Sequence, residues 1–514
     1  MLGNLDKQQA ISAHGELSAS RPPSSRHHHH KEVSVKDLTH RALNLAQVQG
    51  ASYADIRIVH RENQSIVVKN GNVEVLAWGH SRGFGVRVLL HGSWGFAASS
   101  LLTAAEVDRV TALAVSIARA SALVKRQDIR LDAPRCIVDR YQSPRQIDPF
   151  GIPVESKIEL LLAADAAMRR VKGIKVAKAN TEAIRETKTF ASTEGSFIEQ
   201  EIVETGGGID CMAVAPGEVQ KRSYPNSFGR HQGTIGWEMV VGLDLPGNGE
   251  RLATEAVQLL TAPQCPSDTT TLILGATQLG LQVHESCGHP IELDRVFGSE
   301  AAFAGTSFLT LEKRGEFRYG SDVVNIVADA TVPTGLGTFG YDDEGVPAHR
   351  TPIVQNGIFV NYLTNREYAA QIGQASNGTA RADGWARIPI VRMTNINLEP
   401  GTWDFDDLVA DTGEGVYMEM NKSWSIDDKR LNFQFGTEIA YEIKGGRLGQ
   451  MYKNATYTGI TPQFWGSCDA VCNASHWNVW GTANCGKGQP SQTAHVGHGT
   501  APARFRNVRI GVLR

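Results

Sequence analysis

This sequence has little cysteine. Its 514 residues include only seven: Cys136, Cys211, Cys265, Cys287, Cys468, Cys472 and Cys485. A disulfide framework needs dense cysteines in a short secreted chain, so a reducing, cytoplasmic setting is expected. Long apolar runs are also missing. No segment approaches 18 uninterrupted apolar residues, which argues against a membrane-spanning helix. No basic-then-apolar leader opens the sequence. A charge excess of one sign is lacking too: 51 basic against 54 acidic side chains leave −3 with histidine neutral. That argues against a direct nucleic-acid partner, whose electrostatic footprint is a basic excess. Hydrophobic residues at 41% and charged ones at 20% describe an ordinary globular chain and exclude a disordered one.

Glycine is abundant, with 52 residues and no collagen-like period. Such a content in a folded chain implies many tight turns, and hence many strands. At roughly 150 residues per domain, the length predicts about two to four domains.

Residues 1–32 read as a disordered tail, with Pro22-Pro23 and the run His27 to His30 set aside from fold reasoning. An N-terminal α/β domain is expected over 33–135. Apolar spacing predicts helices over Val35–Val48 and Ala104–Leu123. Asn70-Gly71 between Ile66–Lys69 and Asn72–Trp78 is a hairpin signal, because both residues accept the positive φ of a type I′ turn. Arg82–Val88 is expected to continue as strand, with Trp94–Ala98 paired to it.

A middle domain is expected over 136–262. It holds helices near Ser156–Val171 and Glu250–Thr261, with strands at Lys175–Ala179, Glu182–Ala191, Ser196–Thr205 and Cys211–Val214. After Pro263 and Pro266 the pattern turns to strands and loops, apart from one helix near 276–288. A C-terminal domain over 263–514 follows. The expected class is therefore α+β, with a mixed N-terminal half and a sheet-rich C-terminal half.

The chemistry concentrates in His284-Glu285-Ser286-Cys287-Gly288-His289-Pro290. Zinc peptidases of the H-E-x-x-H kind place two imidazoles at i and i+4, about 40° apart around a helix. Here the spacing is i and i+5, which on an ideal helix leaves them about 140° apart. The chain must deviate before His289. Gly288 tolerates unusual dihedrals, Pro290 disfavours the α region at His289, and a bulge or helix end there would bring both rings to one ion.

Imidazole suits zinc, and a catalytic zinc keeps three protein ligands and an open position for water. Zinc lowers the pKa of that water to about 7, and Glu285 can take its proton and pass it to the leaving amine. Two histidines leave the set one ligand short. Cys485 in a glycine-rich loop, the pair Cys468/Cys472 and the pair His495/His498 are all candidates, and spacing does not choose among them. Cys287, between the histidines, is a further competitor. For Cys468 and Cys472 buried or free thiols are preferred.

His284-Glu285-Ser286-Cys287-Gly288-His289-Pro290-Ile291-Glu292-Leu293-Asp294 matches the HExxGHxxExD pattern of the TldD/PmbA family. Arg82–Val88 with Trp94–Ala97, Asp342-Asp343-Glu344-Gly345, Phe464–Asp469, Asn484–Pro490 and Pro502–Val508 look like the same family, in order, from about residue 35 to the end. The sequence thus resembles the TldD-type branch.

The resemblance implies a zinc metallopeptidase hydrolysing unfolded peptides or small unstable proteins in an enclosed cavity between subunits. It implies His284, His289 and Cys485 as Zn2+ ligands and Glu285 as the catalytic glutamate. Glu292 and Asp294 match the motif and are expected to orient an imidazole from behind. The implied fold is an N-terminal α/β region, a middle region and a C-terminal domain of curved antiparallel sheet carrying the metal site. The implied partner is a PmbA/TldE-type subunit or a second copy of the chain.

Two other readings stand beside it. A non-catalytic peptide-binding or scaffold subunit would not need the intact His284, Glu285, His289 and Cys485 set. A direct regulator of DNA or gyrase would be expected to carry a basic cluster.

Overall fold

The computed structural model describes residues 34–511. The expected tail, with its histidine run, lies outside the described residues. The chain is mixed α and β, in keeping with the α+β expectation.

One eight-stranded sheet dominates the first 260 residues. Helix α1 (Val35–Val48) leads into β1 (Tyr53–Lys69), β2 (Asn72–Leu90), β3 (Ser93–Ser99) and α2 (Ala104–Ala122). Then come β4 (Val138–Gln142), α3 (Val154–Arg169), β5 (Ile174–Ser192), β6 (Phe197–Ala215), β7 (Glu218–Tyr224) and β8 (His231–Gly233). Helices α4 (Glu238–Gly242) and α5 (Leu245–Thr261) close this half. The sheet order is β3-β2-β1-β5-β6-β4, with β7 and β8 also on β6. It runs across the position where the first two domains are expected to divide, because β1 pairs with β5 from Asp55↔Ser192 to Lys69↔Lys178.

The long strands carry two separate cores. At one end α1 and α2 bury Leu38, Ala42, Val110 and Ala114 against Ile56, Phe84 and Val86. At the other end α3 and α5 bury Leu161, Met168, Leu252 and Ala256 against Ile66, Val68 and Ile209. The Asn70-Gly71 turn forms as expected, with φ of +50° and +81°.

Arg82–Val88 continues the strand of Asn72–Trp78, as expected, and the segments expected apart within β5 and within β6 are each one strand. Glycines within β6 mark close backbone approach. A Cβ on Gly206 would overlap the carbonyl of His231, and one on Gly208 the carbonyl of Gly229.

In the C-terminal half, β9 (Asp268–Leu274) pairs with strands Glu414–Ile426 and Ala503–Ile510. Asn432–Lys444 and Thr456–Ile460 complete a ring of five strands that closes on itself, with one parallel pair among antiparallel ones. The half holds more helix than expected: short helices also form at Leu293–Val296, Arg366–Gln371, Phe405–Thr412 and Thr461–Gly466. Helix α6 (Ala276–Val283) leaves β9 and drives Leu279 and Val283 into the core.

The two halves are joined by buried ion pairs. Arg87 on β2 bridges Asp55 at 2.7 Å and Glu344 at 2.8 Å, and Lys188 on β5 meets Asp343 at 2.7 Å. The segment Asp342–Gly345 is thus the joint that fixes the long sheet against the C-terminal domain.

Candidate metal centre

Helix α6 does not stop at Val283. It widens into one π turn, His284–Gly288, whose closing bond runs from the His289 N–H to the His284 carbonyl at 3.2 Å. An i→i+5 bond puts residues five apart over one another, as an α-helix does for residues four apart. This resolves the i, i+5 spacing, but not by the expected dihedrals. His289 keeps helical φ −67° and ψ −42° although Pro290 follows. Gly288 is not left-handed; a Cβ there would overlap Met393 Sδ, so its role is space.

Side chains stabilise the widened turn. The Ser286 hydroxyl donates to the Gln282 carbonyl and accepts from Trp465 Nε1 at 2.9 Å. The Ser286 carbonyl accepts from the Tyr319 hydroxyl at 3.0 Å.

Cys485 arrives from a two-stranded hairpin, Asn478–Lys487 with Gln492–Thr500. The expected glycine-rich loop is strand as far as Lys487. A register shift between Thr482 and Cys485 breaks the ladder just before the cysteine, and such a bulge re-aims a side chain. Its sulfur lies 3.4 Å from His284 Nε2 and 3.8 Å from His289 Nε2, all three side chains being buried.

These separations fit one ion. A tetrahedral zinc about 2.3 Å from sulfur and about 2.0–2.1 Å from nitrogen spaces those donors about 3.6 Å apart. Burial lowers the pKa of both imidazoles, which favours the neutral form that can ligate. Burial also pushes the Cys485 thiol up, but the Arg392 guanidinium leads the groups that hold the thiol below its ordinary value.

The ring orientations follow from what stands behind them. The Ile396 carbonyl can only accept, so His498 Nδ1, at 3.3 Å, carries its proton. His498 Nε2 therefore accepts from His284 Nδ1–H at 2.8 Å, leaving the lone pair of His284 Nε2 toward Cys485. His289 Nδ1–H donates to Glu292 Oε2 at 3.0 Å and likewise frees Nε2.

Asp294 is a correction to the expectation, since it touches no imidazole. It accepts from Lys487 Nζ at 2.6 Å, and that ammonium lies 3.4 Å from Glu292. Asp294 thus holds the lysine that neutralises Glu292.

The other candidates lie elsewhere. Cys287 sits in the apolar core, its thiol pushed up to about 12 by burial. Cys468 and Cys472 are buried and unpaired. His495 pairs with Glu204 on β6, away from the cluster. His498, a candidate ligand by spacing, backs a candidate ligand instead. Lys487, Arg392 and Arg430 carried no local sequence signal.

A cavity of about 310 Å³ opens over the cluster. Glu285 lines it beside His284, and Arg430 Nη1 donates to Glu285 Oε2. Segments from both halves line it, including Phe228 and Arg230 from the first and Trp424, Arg430 and Trp480 from the second.

Fold and site together define a two-half α+β protein in which a histidine–glutamate turn and a remote thiol meet at the floor of a cleft. Sequence comparison gives that class its family. Family models match three stretches: the PmbA/TldA metallopeptidase domain 1 over residues 54–118, the central domain over 147–262 and the C-terminal domain over 267–511. The chain belongs to the PmbA/TldD metallopeptidase family.

A metalloprotease of Methanocaldococcus jannaschii is 32% identical over 468 residues, 89% of this chain and 97% of the relative. A Haemophilus influenzae relative named as a metalloprotease TldD homolog is 26% identical over 473 residues, covering 89% and 92%. Among solved structures, a Thermotoga maritima protein described as a candidate modulator of DNA gyrase shares the fold. Its TM-score is 0.74 at 17% identity, covering 93% of this chain and 100% of that one. TldE of Thermococcus kodakarensis matches with TM-score 0.68 at 15% identity, covering 92% and 99%. No described helix is long and apolar enough to cross a membrane.

Proposed function

We propose that this chain is a zinc-dependent peptidase acting on unfolded peptides, with His284, His289 and Cys485 as metal ligands and Glu285 as the proton carrier. The observation that carries the reading is the meeting of three buried donors, 3.4 and 3.8 Å apart through sulfur, beside a glutamate that faces the cleft. Zinc held there supplies Lewis acidity and makes a water proton easier to remove near neutral pH.

The residues of the chain do the rest. Glu285 accepts a proton at a carboxylate oxygen and returns it to the leaving amine. His498 and Glu292 hold each imidazole in the tautomer that offers Nε2. Two neutral rings and one thiolate leave a zinc site at +1 where three rings would leave +2, so more of the proton transfer falls to Glu285. A cavity of this size admits an extended segment and excludes a folded domain, which supports an unfolded substrate. Family kinship with TldE supports a PmbA/TldE-type subunit, or a second copy, as the partner that encloses the cleft. Seven unpaired cysteines suit a reducing cytoplasm.

The test joins metal analysis to kinetics on the full chain. We expect about one zinc per chain and, for Glu285→Gln, retained zinc with a loss of about 10²–10⁴-fold in kcat. Full activity in Glu285→Gln would remove the assigned role.

A further inference from the structure

The cavity over Glu285 is unbalanced in charge. Apart from the histidines and Cys485, its charged lining among the described residues is Glu285, Arg230 and Arg430. Arg430 Nη1 is engaged by Glu285, but its Nε is buried with no hydrogen-bond partner. That Nε is closed off from the cavity, so what Arg430 presents to a ligand is the charge of its guanidinium, held beside Glu285.

Arg430 is also held in place at some expense. Its φ is +65°, in the left-handed region that a long side chain rarely adopts. The loop around it fixes that conformation. Asp427 accepts the N–H groups of Leu431 at 2.8 Å and Asn432 at 3.0 Å, and its carbonyl takes the Arg430 N–H at 2.8 Å. Thr461 Oγ1 caps the Arg430 carbonyl at 2.9 Å. Strain that the surroundings over-determine marks a position where placement matters.

The segment Phe228–Arg230 also lines the cavity. Arg230 is exposed and has no ion-pair partner among the described residues, and it follows Phe228, whose φ is +63°. Phe228 and Trp424 meet edge to face at 6.3 Å, each more than 40% exposed (42% and 45%). A segment lying in the cavity meets two guanidinium groups, and the only carboxylate lining it among the described residues is Glu285. As long as Arg430 is paired with Glu285, that carboxylate is engaged. An anion brought by the ligand gives Arg430 a second acceptor and frees Glu285.

We infer that the cleft selects peptides bearing a carboxylate next to the bond placed over Glu285, gripped by Arg430 and Arg230, which both line the cavity. The inference rests on the peptidase reading for its orientation, but its binding half is separately measurable. The carboxylate comes either from an Asp or Glu side chain or from the peptide C-terminus.

The test scans one aspartate, against asparagine controls, through a neutral fluorescent decapeptide made with free and with amidated C-termini. Binding is read by anisotropy on zinc-loaded, full-length Glu285→Gln protein, and cleavage on the wild type. At the favoured position the carboxylate form should bind and be cleaved at least about tenfold better. Loss of the preference on Asp→Asn assigns the side chain, and loss on amidation assigns the terminus. Arg430→Gln and Arg230→Gln should each bring the ratio toward one with zinc content unchanged, and Arg430→Lys should keep part of it. Arg230 is exposed, so its variant keeps the test open if Arg430→Gln does not fold.

Equal handling of charged and neutral peptides, or a preference that survives both glutamine variants, overturns the inference. Cleavage without preference removes it and leaves the peptidase reading intact. Preferential binding without any cleavage does the reverse.

Discussion

The long N-terminal sheet and the region around the π turn are both buried, but by different means. The sheet is buried by apolar faces: Phe84, Val86, Val110 and Ala114 at one end, Leu161 and Leu252 at the other. The π turn is buried in polar groups that answer one another. Gln278 and Gln282 share the Tyr457 hydroxyl at 2.9 Å each, and Ser286 links Trp465 to the helix. Behind His289, Glu292, Asp294 and Lys487 form a buried charge cluster. Apolar burial is non-directional and sets stability. Hydrogen-bonded burial is directional and sets orientation. One region should therefore lose stability when cut and the other should lose its grip on metal.

The sharpest way to break that contrast is Cys485→Ala, which should take the protein from about one ion per chain to nearly none. Circular dichroism should show the fold retained. Full metal content in this variant would end the comparison at its source.

Phe84→Ala should cost about 3–5 kcal/mol of unfolding free energy by denaturant titration. Its metal affinity below the transition should be unchanged, and a large drop would show that the two regions are not separable. His498→Phe and Glu292→Gln should act the other way. Each should weaken metal affinity about 10–100-fold in chelator competition while barely moving the unfolding midpoint. Unaltered affinity in both would mean that the backing groups do not hold the rings.

The smallest expected effect belongs to Gly288→Ala. The new methyl meets the flexible Met393 side chain, so the cost should fall near the lower end of the range for overpacking, about 1 kcal/mol. Met393→Ala in the same chain should recover part of it. No recovery would place the cost in the backbone of the turn.

The same contrast explains what could be read from residues alone. Helices α1 and α2 declare themselves because their apolar residues repeat with the helical period. The Asn70-Gly71 turn is legible because it needs positive φ. Helix α5 starts at Leu245, five residues earlier than its pattern suggests. Pro246 and the two following glycines read as loop, yet Asp244 caps the helix through the Gly247 N–H, and Gly249 is packed close to Ala167. The i, i+5 spacing shows that the helix must deviate near Gly288. It does not show that the deviation is a π turn, because that depends on Ser286, Tyr319 and Trp465 meeting from distant segments. The proximity of Cys485 to the histidines is a long-range fact that no spacing contains, and only the family pattern pointed to it. The place of His498 behind His284 had no local signal beyond its own residue type.

The hairpin that carries Cys485 has a consequence for the lifetime of the protein. It is a two-stranded sheet of its own, packed on the core through Val496 and bonded to Asn397 and Ala276, and Cys485 lies 201 residues from His284. An ion held between them is a cross-link closing a long loop, and such clips remove conformational freedom from the open chain. With the ion removed, the hairpin loses that tether while the long sheet keeps its own cores. Metal starvation would then be registered as clipping within 478–500 ahead of global melting, so the cell would clear empty copies and spare filled ones.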